Sequence, residues 1–119
     1  MPLIQIDLER GLYEQLHERI SAEMQQAQVD ALGITADDLF HVFCPHEAAE
    51  LKFDPGYNGV DRRGLVVIRI VMVHMYSVAT KRELYRAIVE RLSALGIRPE
   101  DILISVTENA FEDWYAGKL

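Results

Sequence analysis

The stretch Leu32-Gly33-Ile34-Thr35-Ala36-Asp37-Asp38-Leu39 returns further along the chain as Leu95-Gly96-Ile97-Arg98-Pro99-Glu100-Asp101-Ile102. A second echo lies upstream of each copy, where Ile4-Gln5-Ile6 is matched by Ile68-Arg69-Ile70. Paired echoes of this kind mark a duplicated supersecondary unit. Each copy closes a helical pattern. Before the first, Leu12, Leu16, Ile20, Met24 and Ala27/Ala31 recur at helical spacing, which predicts an amphipathic helix over about 12–32. Gly33 is placed to end that helix in the left-handed conformation, and Thr35 to cap a short turn through Asp37 and Asp38. Before the second copy, the capping box Thr80-Lys81-Arg82-Glu83 opens a helix with Leu84, Ile88, Leu92 and Leu95 on one stripe, and Gly96 ends it.

Strands flank both helices. Met1 to Leu8 alternates, with Ile4, Ile6 and Leu8 on one face and Leu3, Gln5 and Asp7 on the other. Leu39–Cys44 and Ile102–Thr107 read as the strands that follow the helices. Leu65–Tyr76 is apolar on both faces, so it must be covered on both faces. Between the halves, 45–64 is irregular, with a short strand at 50–53 and turn signals at Asp54-Pro55-Gly56 and Asn58-Gly59. The expected fold is therefore α+β: two β-α-β halves, about 1–45 and 65–108, in a single domain with a connecting loop and a short C-terminal tail. Within each half the strands are parallel and the crossover right-handed. Two helices cover only one face of a four-stranded mixed sheet. The other face needs further copies of the chain, which predicts a homo-oligomer.

Composition narrows the function. Half of the 119 residues are hydrophobic, enough for a core without staples. The 12 basic and 19 acidic residues give a net charge of −7, which argues against a nucleic-acid or anionic-membrane surface. An anionic small substrate stays open, because a few nearby residues set a site's local field. The lone Cys44 fits a reducing compartment, and acidic Asp7 and Glu9 fall where a signal peptide would be apolar, so a cytoplasmic protein is expected. The longest apolar run carries Arg69 and His74 and is too short to span a bilayer. His41, Cys44 and His46 lie close together, but their spacing fits no metal pattern, and no phosphate-cradling glycine loop is present.

A duplicated β-α-β chain that begins Met1-Pro2-Leu3-Ile4 resembles the tautomerase superfamily. The ending Val106-Thr107-Glu108-Asn109 followed by Asp113-Trp114, the motif from Gly33 to Asp38, and the segment from Lys81 to Tyr85 resemble its malonate semialdehyde decarboxylase-like branch. The resemblance spans almost the whole chain. It implies that Pro2 is the catalytic amine once Met1 is removed, that no metal or organic cofactor is used, and that the assembly is a trimer. A model α-amino group titrates at about 7.7–8.0, and burial among Ile4, Ile6 and Leu8 would lower that value. The neutral amine could then take a proton beside a carbonyl and return it elsewhere. Kept protonated, it could instead polarise a carbonyl for decarboxylation or hydration.

Asp38 matches the aspartate that assists the proline or orients water. As an acid in a first helical turn it also has a purely local explanation. Where the branch carries two carboxylate-gripping arginines, this chain reads His74 and Tyr76. His74 has the parity of Ile68, Ile70 and Met72, and with Tyr76 is expected to line the pocket and donate to an enolate or carboxylate oxygen. Arg69 has the opposite parity, toward an interface or solvent, with a neighbouring subunit's pocket as its functional option. The expected activity is a cofactor-independent tautomerase for a small 2-oxo acid or enol, with Pro2, Asp38 and His74 catalytic and Tyr76 and Arg69 binding substrate. A decarboxylase or hydratase, or a non-catalytic oligomeric binding protein, are the alternatives.

Overall fold

A computed structural model describes residues 1–119. The chain runs β1 (Leu3–Glu9), α1 (Arg10–Leu32), β2 (His41–His46), β3 (Val66–Val73), α2 (Val78–Ser93) and β4 (Ile102–Asn109), with short 3-10 turns between them. The sheet order is β2-β1-β3-β4. β1 and β2 are parallel, β3 and β4 are parallel, and β1 and β3 meet antiparallel at the centre, so the two β-α-β halves are joined edge to edge.

Alternation in the strands decides which face is buried. Ile4, Ile6 and Leu8 from β1 and Val66, Ile68, Ile70 and Met72 from β3 turn to the helices. They meet Ile20, Met24 and Ala27 of α1 and Leu84, Ile88 and Leu92 of α2 in one core. Each such fully buried side chain is worth about 1.5–3 kcal/mol of transfer free energy. Arg91 ties the helices together, reaching Glu23 and Asp30 of α1 at 2.8 Å each. The opposite face carries Leu3, Gln5, Asp7, Val42, Cys44, Arg69 and Leu103. No helix lies over it, and Leu3, Val42 and Leu103 stay exposed in the protomer. No helix is long and apolar enough to cross a membrane.

Four boundaries depart from the sequence expectation. α1 starts at Arg10, directly off β1, two residues before its first apolar stripe residue. β2 begins at His41 and runs through Pro45, which an edge strand tolerates because its outer side needs no N–H. The 50–53 segment is not a strand; Ala48–Glu50 is a 3-10 turn with a reciprocal cap between Glu47 and Glu50. β3 ends at Val73, and α2 starts at Val78 with Ser77 as its cap, its hydroxyl accepting from Thr80 N–H at 3.1 Å. The serine three residues ahead of Thr80 captures that N–H, so the helix begins before the Thr80 capping box.

Candidate active site

The start of β1 and the C-terminal ends of β3 and β4 meet at one end of the sheet. Leu3 pairs with Val71, which sets Pro2 beside Met72 on the next rung. Pro2 is buried. The Ile4 N–H donates to Phe40 O at 2.9 Å, outside the regular ladder, and draws 38–40 along the chain's first residues. The terminal amine of Met1 lies 3.8 Å from Asp38 Oδ2. The Pro2 nitrogen is one residue further along the backbone, and removal of Met1 would expose it as a secondary amine.

Tyr76 is half-buried and packs against the core. Burial pushes its hydroxyl above the ordinary tyrosine range, and the negative charge of Asp38 pushes in the same direction. The phenol is therefore held as an O–H donor in the field of Asp38. Asp38 thus lies at the N-terminus, and its charge is felt by Tyr76.

His74 lies elsewhere than its strand parity suggested. Because β3 stops at Val73, His74 sits in the four-residue connection to the Ser77 cap, and its own N–H donates to Asn109 O at 2.7 Å. Its side chain is 77% exposed instead of facing the core, and its Nδ1 meets Glu108 Oε2 at 2.8 Å. The other Glu108 oxygen accepts from Lys81 Nζ at 2.8 Å. The Lys81 hydrogen bond is the first cause that holds the Glu108 carboxyl below its ordinary range, with His74 adding to it. Met72 and Glu108 share a rung, so this cluster lies on the same row as Pro2, one strand further out. In the sequence, Lys81 and Glu108 stand out only as parts of family-like segments. Their pairing across 27 residues has no local signal.

Arg69 is placed on the open face, as its parity indicated. It meets Asp7 Oδ2 at 3.4 Å. Asp7 is nearly buried there and also accepts from His46 Nε2 at 2.7 Å. Within the protomer, Arg69 is on the opposite side of the sheet from the core-facing row that carries Pro2.

Comparisons with known proteins identify the family. A family model described as tautomerase enzyme matches residues 38–117. A probable tautomerase of Bacillus subtilis, YusQ, is 34% identical over 119 residues, covering 98% of this chain and 94% of its own length. A malonate semialdehyde decarboxylase inhibited by 3-bromopropiolate superposes with a TM-score of 0.90 at 29% identity, covering 97% of this chain and 88% of its own. A fused 4-OT that forms a symmetric trimer shares the fold at 17% identity, with a TM-score of 0.82 over 98% of this chain and 94% of its own. The chain belongs to the tautomerase superfamily, in its malonate semialdehyde decarboxylase-like branch.

Proposed function

We propose that this protein is a cofactor-independent tautomerase of a small 2-oxo acid or its enol, working through the secondary amine of Pro2 after loss of Met1. The observation that carries the reading is the 3.8 Å approach of the Met1 amine, one residue ahead of Pro2, to Asp38, with Tyr76 in the field of the same carboxylate. In this reading the Pro2 amine takes the proton beside the carbonyl and delivers it to the other end of the enol system. Tyr76 donates to the oxygen on which charge develops. Asp38 holds the aminium form while the proton is in transit. His74, whose Nδ1–H is held by Glu108, donates from Nε2–H to the substrate carboxylate at the rim when the ring is protonated. Arg69 reaches a substrate only across an interface between copies.

A lyase is the second reading. The 29% identity to a malonate semialdehyde decarboxylase favours it. The presence of His74 and Tyr76 where that branch carries arginines favours the tautomerase. We also read the open sheet face as a subunit interface in a trimer, because exposed Leu3, Val42 and Leu103 lie on it. Sedimentation at micromolar concentration checks this, and a stable monomer would contradict it.

The deciding experiment compares turnover of phenylenolpyruvate and 2-hydroxymuconate by wild type and Pro2→Ala, with decarboxylation of malonate semialdehyde as a parallel arm. Wild type is expected to tautomerise, and Pro2→Ala to lose about 10²-fold or more in kcat/KM, the low end of general acid–base contributions. His74→Ala is expected mainly to raise KM. Turnover only in the decarboxylation arm selects the lyase. No turnover in any arm, with a folded oligomer, selects a binding protein.

A further inference from the structure

Asp38 sits on a loop, yet a carboxylate that assists an amine must be held to within a fraction of an ångström. The Gly33–Phe40 segment has few backbone bonds of its own: Gly33 N–H to Val29 O, Asp38 N–H to Thr35 O and Leu39 N–H to Asp37 O. Phe40 O is held by the Ile4 N–H at 2.9 Å, and the other anchor comes from α1. The side-chain NH2 of Gln25 points its two protons at three loop carbonyls, most closely Asp38 O at 2.8 Å, with Ala36 O at 3.2 Å and Thr35 O at 3.3 Å sharing the other. Gln25 is buried, 6% exposed, on a helix face that otherwise carries Ile20, Met24 and Ala27.

The orientation of that amide is set by a second buried glutamine. Gln28, 1% exposed, donates from Nε2 to Gln25 Oε1 at 3.2 Å, which fixes the oxygen away from the loop and the nitrogen toward it. Gln28 Nε2 also lies 3.3 Å from His41 Nε2, and His41 Nδ1 lies 2.7 Å from Ser21 Oγ. Ser21, His41, Gln28 and Gln25 thus form one polar chain through the interior of the α1–β2 layer. A buried amide left unpaired is unfavourable, so a chain with these members resists being opened at any link. It runs from Ser21 of α1 through His41 of β2 and ends on the carbonyl of Asp38 itself.

We propose that Gln25 is a positioning residue for the proline chemistry: with Gln28 behind it, it clamps the Asp38 loop against α1 and so fixes the carboxylate at the N-terminal amine. The inference rests on the tautomerase reading of Pro2 and Asp38. Replacing the amide by an apolar side chain of similar size frees three carbonyls and lets the loop move away from the N-terminus. Gln25→Glu is worse, since it sets a second acceptor against three acceptors.

The test is a double-mutant cycle on turnover of phenylenolpyruvate by the full chain. Gln25→Met is expected to lower kcat by about 10-fold with a smaller change in KM, and to change kcat by less than about 2-fold when Asp38 is already Asn. Gln25→Glu is expected to lose more than Gln25→Met. Losses of Gln25→Met and Asp38→Asn that multiply, or an unchanged kcat in Gln25→Met, would overturn the proposal. Backbone hydrogen exchange at Asp38 and Leu39 gives a second readout that needs no activity. It should rise in Gln25→Met while the Ile6 and Ile70 amides stay protected, and unchanged exchange at Asp38 and Leu39 overturns the proposal. Pro2→Ala, run alongside, separates the two claims: wild-type turnover in Pro2→Ala defeats the tautomerase reading, whereas the exchange result judges the clamp by itself.

Discussion

Asp38 and Asp101 occupy the same place in the two copies of the repeat, and they meet different nitrogens. Asp101 Oδ1 accepts from the Arg63 backbone N–H at 2.9 Å and from Arg98 Nη1 at 3.0 Å, and it packs under Gly64, where an added Cβ would come within 3.3 Å of its Oδ2. Asp38 Oδ2 approaches the terminal amine at 3.8 Å, and no arginine pairs with it. Each carboxylate thus faces the backbone just ahead of the first strand of its half. In the second half that backbone is an amide within a continuous chain, and the contact is structural. In the first half it is the chain's end, where a nitrogen keeps its lone pair. On the proposed function, the repeat supplies the carboxylate and the terminus supplies the amine.

Two substitutions break that comparison in opposite ways. Asp38→Asn should lower kcat/KM by about 10- to 100-fold, the worth of a hydrogen bond to a charged group, with little change in melting temperature. Asp101→Asn should leave turnover near wild type and destabilise the fold by about 1–2 kcal/mol, since Arg98 and the Arg63 amide lose their shared acceptor. Steady-state kinetics and thermal unfolding of both variants check the pair. A similar activity loss in both would mean that the two carboxylates act alike through stability, and the distinction drawn here would fail.

A smaller effect sharpens the comparison through pH. Burial lowers the pKa of His41 from the ordinary 6.5. Its folded state therefore favours the neutral ring, and the unfolded chain binds the extra proton first. The resulting stability is fully present above about pH 6.5 and is lost as pH falls below it. The position equivalent to His41 in the second half, reached by the same strand alignment, is Ile104, which does not titrate. Melting temperature should thus decline between pH 7 and 5.5 in wild type and stay flatter in His41→Asn. Glu108, with its lowered carboxyl pKa, contributes in the same direction only at lower pH, below about 4.5. A decline of equal size in both proteins would remove His41 from the account.

Much of this architecture was legible in the residues. The two-block repeat and the parity of Ile4, Ile6, Leu8 and Ile68, Ile70, Met72 specify the β-α-β halves, because a period of two leaves each strand one buried face. Boundaries were less legible where two local signals compete. Ser77 and Thr80 are both good caps, and only the early end of β3 decides for Ser77. That same end moved His74 out of the strand, so parity counted past Val73 no longer applied. Side-chain partners far apart in sequence left no local trace at all, as with Lys81 and Glu108. Gln25 and Gln28 did leave one, since amides on a helix stripe beside Met24 and Ala27 must find partners inside.

The measurement closest to the central claim separates the amine from the residue. A chain that carries one added residue ahead of Pro2, with its intact mass verified, keeps the same side chains but turns the Pro2 nitrogen into an amide. Its turnover of phenylenolpyruvate should fall by about 10²-fold or more relative to a chain whose mass shows Pro2 first, at unchanged melting temperature. Equal turnover by the two chains would contradict the account, because an amide nitrogen has no lone pair with which to carry the proton.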